Sequence, residues 1–511
     1  MGRGADAGRL LSSEHADWRD PHLSIAGLSG VPKALTFFAL TTATQVCLLV
    51  QQVLILPLLL RVWGSDTAAA WFVALALANL AGLFDLGLRN AGHAELLAGE
   101  TCGTVDRRFR PVWALARLLV VGLTAVCVGG EMLGPDPLLA ATLTLATALE
   151  TLLVVRGTWL DTLGAVSKVE GVYFGLAASR IVLTVGVVAG LRAPPQAVAC
   201  IMLGLMVVAL WAQARLRPSA SLGLLAGGVR DIDRSTIGLV RFALAQPAAT
   251  WMRYSAPVLA VAAIAPPAFV TSFVALRAVF GLARQIVVQL ARYASVRYVQ
   301  HCDPGAATAI AVRAILACTL IGIAVSSVVL ADHGRALRLW FGEGLMQSEG
   351  LTLAFGVGAI AFGHQVIAQV LTRTGRMATA AKRQYAYGLA AGLSVLWVLL
   401  LVPSVPLYLV LLALQDLFLA GLFVPALGAA VRRAALAAVS VAGLVLSGLL
   451  LLVAANPLDA FHALRPGSVA ISLLSVLVAI VLSTAAMLAI DRSTVRQVRG
   501  IAPLRTPAGP S

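Results

Sequence analysis

Arg180, Arg253 and Arg277 lie roughly eight to ten residues from the nearest end of an apolar run, too deep for easy snorkelling. A guanidinium does not give up its proton, so each is a fixed charge. At the centre of a bilayer such a charge costs about 2.5–3.5 kcal/mol on insertion scales. Residues of this kind imply a water-filled cavity or an anionic ligand. Gln246, Thr250 and Arg253 recur at i, i+4 and i+7, on one helical face. Pro247 and Pro257 interrupt the same run and loosen its backbone. In the next run Arg277 and Arg284 stand at i and i+7 with Gly281 between them, a cationic stripe beside a gap. For each arginine the alternative is structural: an ion pair with a buried acid or a bond to a backbone carbonyl.

The acids divide in the same way. Asp85 and Arg89 are i, i+4 near a helix end, the spacing of a local ion pair. Asp416, beside Gln415, sits near the middle of an apolar run, where it would partner an arginine or carry a proton. Glu150 lies close enough to a span end for solvation. Trp71, Trp251 and Tyr254 offer rings for sugar stacking, although tryptophans near span ends commonly anchor at the membrane interface. His364 with Gln365 and Gln369 reads as a satisfied polar contact, and no metal site is expected. Arg117, Arg241 and Arg313 are shallow enough to snorkel. The six cysteines show no paired spacing, so neither a disulfide framework nor a zinc site is indicated.

These residues need membrane-spanning helices to position them. Hydrophobic residues make up 59% of the 511 and charged residues 12%, about half the charged fraction of a soluble protein. The net charge of +15 is spread as short basic clusters between apolar runs, which is membrane topology and no sign of nucleic acid. Apolar windows of about 20 residues predict an all-α polytopic protein of fourteen spans. They lie near 34–60, 68–88, 112–130, 137–154, 172–191, 195–214, 237–262, 267–290, 307–330, 350–372, 384–403, 405–430, 434–455 and 468–490. With the amino terminus inside, about 26 basic residues fall on inside loops and tails and about 5 outside, the asymmetry of inner-membrane insertion. Residues 1–33 and 491–511 are then cytoplasmic tails. No phosphate-binding loop of the GxxxxGK[ST] type is present, and no cofactor is expected.

The second span closes on Phe84-Asp85-Leu86-Gly87-Leu88-Arg89, preceded by Arg61-Val62-Trp63-Gly64 and Ala70-Trp71. After the ninth span comes Leu339-Trp340-Phe341-Gly342-Glu343. These segments and the order of spans resemble the polysaccharide flippases, the O-antigen and lipid-linked oligosaccharide translocases. That family belongs to the multidrug/oligosaccharidyl-lipid/polysaccharide exporter superfamily. The resemblance implies two six-helix lobes around a central cavity: 34–216, a cytoplasmic linker at 217–236, then 237–430. Spans 13 and 14, at 431–490, would be an addition, as in the lipid II flippase. That flippase carries cations in its first helix, whereas none lies between Lys33 and Arg61 here. The first span offers Thr41, Thr42, Thr44, Gln45, Gln51 and Gln52 instead.

On this resemblance the expected activity is non-enzymatic: alternating-access transfer of a polyprenyl-pyrophosphate-linked oligosaccharide across the bacterial inner membrane, for surface polysaccharide synthesis. Arg253, Arg277, Arg180, Arg284, Gln246 and Thr250 would bind the substrate, since planar guanidinium forks match phosphate oxygens. Asp85 and Asp416 would gate or couple. Expected partners are the lipid-linked substrate, membrane lipids, a coupling ion (H+ or Na+) and polysaccharide-assembly proteins. The alternatives are a drug or metabolite-cation antiporter of the same superfamily, disfavoured by an arginine-rich cavity, and a membrane polymerase or glycosyltransferase. The last usually needs a sizeable outside loop, which this chain lacks.

Overall fold

The computed structural model describes residues 31–85, 87–97, 100–129, 136–163, 165–216, 244–245, 247–300, 304–331, 340–341, 349–374 and 377–423. The described residues form helices and turns, with no strand among them. Long apolar runs dictate this, because a chain in hydrocarbon must satisfy its backbone N–H and C=O groups within each segment.

The first helix, α1 (Val31–Ala78), holds the first expected span and the first part of the second. Gly64 divides them with φ 75° and ψ 176°, a left-handed backbone that favours glycine. Trp63 and Trp71 pack across this bend with centroids 5.4 Å apart, and the Trp63 indole N–H donates to the Ala193 carbonyl at 2.9 Å. A 3-10 stretch, Asn79–Asp85, leads into α2 (Leu88–Leu97). There follow α3 (Cys102–Gly129), α4 (Pro137–Thr162), α5 (Val166–Val185) with its π turn Gly186–Gly190, and α6 (Pro195–Leu216). Beyond lie α7 (Ala256–Ile264), α8 (Pro267–Gln300), α9 (Pro304–Ala331) and α10 (Glu349–Ile360). A 3-10 turn, Ala361–Gly363, joins α10 to α11 (His364–Arg373), followed by α12 (Met377–Leu400) and α13 (Val405–Phe423).

Eight described stretches are long and apolar enough to cross a membrane, and a shorter apolar helix covers Val405–Leu419. One of the eight, Ala39–Asp85, covers two expected spans. Spans 13 and 14 lie outside the described residues, as do the linker at 217–236 and both tails. Large apolar side chains face outward on several helices, among them Leu118, Val121, Leu389, Leu400 and Trp211. Such surface suits lipid and not water.

Within each half the main packing pairs are α1 against α5, α4 against α6, α8 against α9 and α11, and α12 against α13. The bent α1 also packs on α7 and α8, so it joins the amino-terminal helices to the carboxyl-terminal ones. One apolar core runs through this junction, from Ile55 and Trp71 to Phe273, Leu351 and Tyr408.

The second-span motif has a local structural cause. Gly87 takes φ 76°, and Asp85 accepts the Arg89 backbone N–H at 3.0 Å, capping α2. The Arg89 guanidinium turns away to donate to the Thr158 hydroxyl at 3.2 Å. The expected Asp85–Arg89 side-chain pairing is therefore corrected to a helix cap. Only Trp340 and Phe341 of the second motif are described. Their rings stack at 4.7 Å, and Trp340 donates its indole N–H to the Val53 carbonyl of α1 at 2.8 Å. The Trp340 carbonyl in turn accepts from Arg61 at 3.1 Å.

Candidate functional site

A cavity of about 400 Å³ opens between α1, the helical residues leading into α7, α8, α10 and α13. Its apolar walls come from Phe72, Phe273, Phe280, Phe355 and Phe362. Its polar lining holds Gln52, Asn79, Arg253, Tyr254, Ser255, Arg277, Arg284, Gln285 and Asp416. The helix bends at Ser255, just ahead of Pro257 and α7, which turns Arg253 and Tyr254 into the space. Across the rim the Asn79 amide donates to the Ser255 hydroxyl at 3.3 Å, and Trp251 donates to the Ala76 carbonyl at 3.3 Å.

Three guanidiniums gather around one ring. Their Cζ atoms lie 5.5 Å (Arg253), 5.6 Å (Arg277) and 3.7 Å (Arg284) from the Tyr254 centroid. A ring face attracts cations through its quadrupole, and this offsets part of their mutual repulsion. The heptad spacing on α8 puts Arg277 and Arg284 on one face, and a Cβ on Gly281 between them would meet nothing within 4 Å. The stripe therefore borders open space.

The three cations are not equivalent. Arg253 pairs with Asp416 at 2.6 Å, its side chain 8% exposed and that of Asp416 18%. Its other terminal nitrogen meets His364 Nε2 at 3.1 Å, and Gln365 meets the same ring nitrogen at 2.9 Å. Arg277 and Arg284 pair with no carboxylate among the described residues. Asp416 itself packs against Gly358, where an added Cβ would overlap its Oδ2. Mid-membrane burial of Asp416 is thus compensated by an arginine, one of the two roles its sequence position suggested.

Other expected residues fall elsewhere. Arg180 is not among the cavity-lining residues: its guanidinium donates to Glu150 at 2.9 Å and contacts the Met206 sulfur at 3.6 Å. Glu150, expected to be simply solvated, is that partner. The half-buried Arg180 on α5 is thus neutralised by a carboxylate on α4. Thr250 is exposed and does not line the cavity. Gln246 lies outside the described residues. Asp85 is buried at its cap and is not part of the lining.

Tyr254 as the shared hub was missed from the sequence. The available signal was an aromatic side chain adjacent to a deep arginine. Gln52 was one of several polar residues named in the first span, and nothing in the sequence separated it from Gln51. No group of three or more metal-ligating side chains occurs among the described residues.

Neither a protein-family model nor a curated protein sequence matches this chain. Solved structures do match it. One is the lipid II flippase MurJ in an inward closed conformation, with TM-score 0.60, 11% identity, and coverage of 91% of this chain and 99% of that one. Another is a MATE transporter in complex with MaL6, with TM-score 0.51, 16% identity, and coverage of 82% and 97% respectively. The chain therefore has the all-helical fold shared by these membrane transporters.

Proposed function

We propose that this chain is a flippase for a polyprenyl-pyrophosphate-linked oligosaccharide, working by alternating access in a bacterial inner membrane with both termini cytoplasmic. The observation that carries this reading is the pair Arg277 and Arg284, which face a membrane-embedded cavity with no carboxylate partner among the described residues. A buried cation without an internal counter-ion is costly unless an anion visits it. Pyrophosphate suits two neighbouring guanidiniums. The aromatic walls suit the adjoining sugar or prenyl carbons, and the remaining prenyl chain would stay in lipid.

The lobes of this reading are 34–216 and 237–430, hinged on α1. Trp340 and Arg61 tie them at the end that the basic-residue asymmetry assigns to the outside. Opening this tie would release the substrate outward. In this scheme Arg253, Arg277 and Arg284 hold the headgroup, and energy comes from an ion gradient, the membrane potential or product removal. A cation antiporter is less well supported, because the carboxylate lining the cavity, Asp416, is already paired with Arg253.

The test is to delete the gene and follow the lipid-linked oligosaccharide. Accumulation on the cytoplasmic face, rescued by the wild-type chain and not by Arg277→Ala, is expected. Normal appearance on the outer face after deletion would refute the proposal.

A further inference from the structure

The cavity holds three guanidiniums and one carboxylate among its described lining residues. Asp416 pairs directly with one cation, Arg253, and the described lining keeps a net charge of two positive. The carboxylate lines the cavity and pairs there with Arg253. Its Oδ1 meets one terminal nitrogen of Arg253 at 2.6 Å. A carboxylate has roughly four lone-pair sites, so most of its hydrogen-bonding capacity goes unused here. Arg253 has a second anchor that Asp416 lacks, since its other terminal nitrogen meets His364 at 3.1 Å. The cation is fixed and the anion is exchangeable.

We infer that Asp416 is a resident anion for Arg253 that sets the charge the cavity selects and competes with the substrate headgroup in each transport cycle. This deepens the flippase reading above and rests on it. A sugar linked through one phosphate carries a single negative charge, and one linked through pyrophosphate carries two. With Asp416 on Arg253, the second matches the two open guanidiniums and the first leaves one cation unpaired. The cavity therefore prefers the pyrophosphate-linked lipid. When phosphate oxygens reach Arg253 they displace one anion with another, so no bare charge is exposed. The return of Asp416 to Arg253 then helps to expel the headgroup. Gly358 is part of this device, because only a residue without a side chain lets the carboxylate lie so close to α10.

The experiment uses the full chain in liposomes, with citronellyl pyrophosphoryl-glucose and citronellyl phosphoryl-glucose as probes. Wild type is expected to bind the pyrophosphate probe at least about tenfold more tightly, the worth of one charge-assisted bond. Asp416→Asn frees Arg253 and should tighten the pyrophosphate probe by about tenfold or more while slowing its transport. Arg253→Gln combined with Asp416→Asn restores the charge balance and should return affinity close to wild type, with transport still slow. Unchanged affinity in Asp416→Asn, or wild-type transport in the double variant, overturns the inference. Should Asp416→Asn not fold, the charge-balanced double variant decides alone. If wild type binds neither probe, or Arg277→Ala binds both as wild type does, the flippase reading itself has failed.

Discussion

Arg277→Ala and Arg253→Ala remove the same side chain from neighbouring places in one cavity, and the structure makes them differ in kind. Arg277 pairs with no acid among the described residues, so its truncation strands no protein charge. It does remove a charge-assisted bond to phosphate, worth about 1.5–3 kcal/mol, or about 10- to 150-fold in affinity. Arg253 is the partner of Asp416, and both side chains are largely buried. Its truncation leaves a carboxylate uncompensated inside the membrane, at a cost of about 3–5 kcal/mol. Purified variants in detergent should therefore separate on two axes. Arg277→Ala should melt no lower than wild type and bind a prenyl pyrophosphate sugar at least about tenfold more weakly. Arg253→Ala should melt several degrees lower. Arg277→Lys, a point charge without the planar fork, should recover part of the affinity. The reasoning fails if Arg277→Ala binds as wild type, or if it destabilises as much as Arg253→Ala.

Gly358→Ala would push the Asp416 carboxylate off Arg253 by steric overlap, costing about 1–3 kcal/mol of stability. It should tighten pyrophosphate binding as Asp416→Asn does, and weaker binding would count against the exchange. Trp340→Phe leaves the Val53 carbonyl without its indole donor, a loss of about 1–3 kcal/mol at the tie between α1 and the residues before α10. A membrane-impermeant thiol reagent added outside should then label a Gln52→Cys reporter faster, and an unchanged rate would exclude the tie as a gate. In a cysteine-free background, Arg192→Cys should react from outside and Arg107→Cys from inside; the reverse pattern would invert the topology.

Much of the fold was legible because membrane insertion reduces the problem to one dimension. An apolar run of about 20 residues has few alternatives to a helix, and Gly64 and Gly87 mark breaks that a positive φ requires. The motif around Asp85 carried the right place and the wrong contact. Spacing of i, i+4 suits either a side-chain pair or a cap, and burial of Asp85 against the start of α2 favours the backbone N–H. The stripe on α8 was legible for a similar reason: heptad spacing places Arg277 and Arg284 on one face whatever surrounds them.

What spacing cannot carry is a partner on another helix, and that is where the site readings diverge. Arg180 and Arg277 look alike along the chain: each is a deep arginine in an apolar run. Their difference is the neighbour. Glu150 on α4 reaches Arg180 at 2.9 Å, whereas no described carboxylate reaches Arg277. The same contact geometry splits Arg253 from Arg284, because Asp416 on α13 pairs directly with the first and reaches the second only at longer range. Depth in the membrane identifies a costly charge, and only tertiary packing shows whether the protein has already neutralised it. Those left unneutralised, Arg277 and Arg284 on one face of α8, mark where an outside anion has the most to offer. On the exchange proposed above, an anion at this site would engage α8 first and reach Arg253 only by displacing Asp416, the carboxylate among the described lining residues.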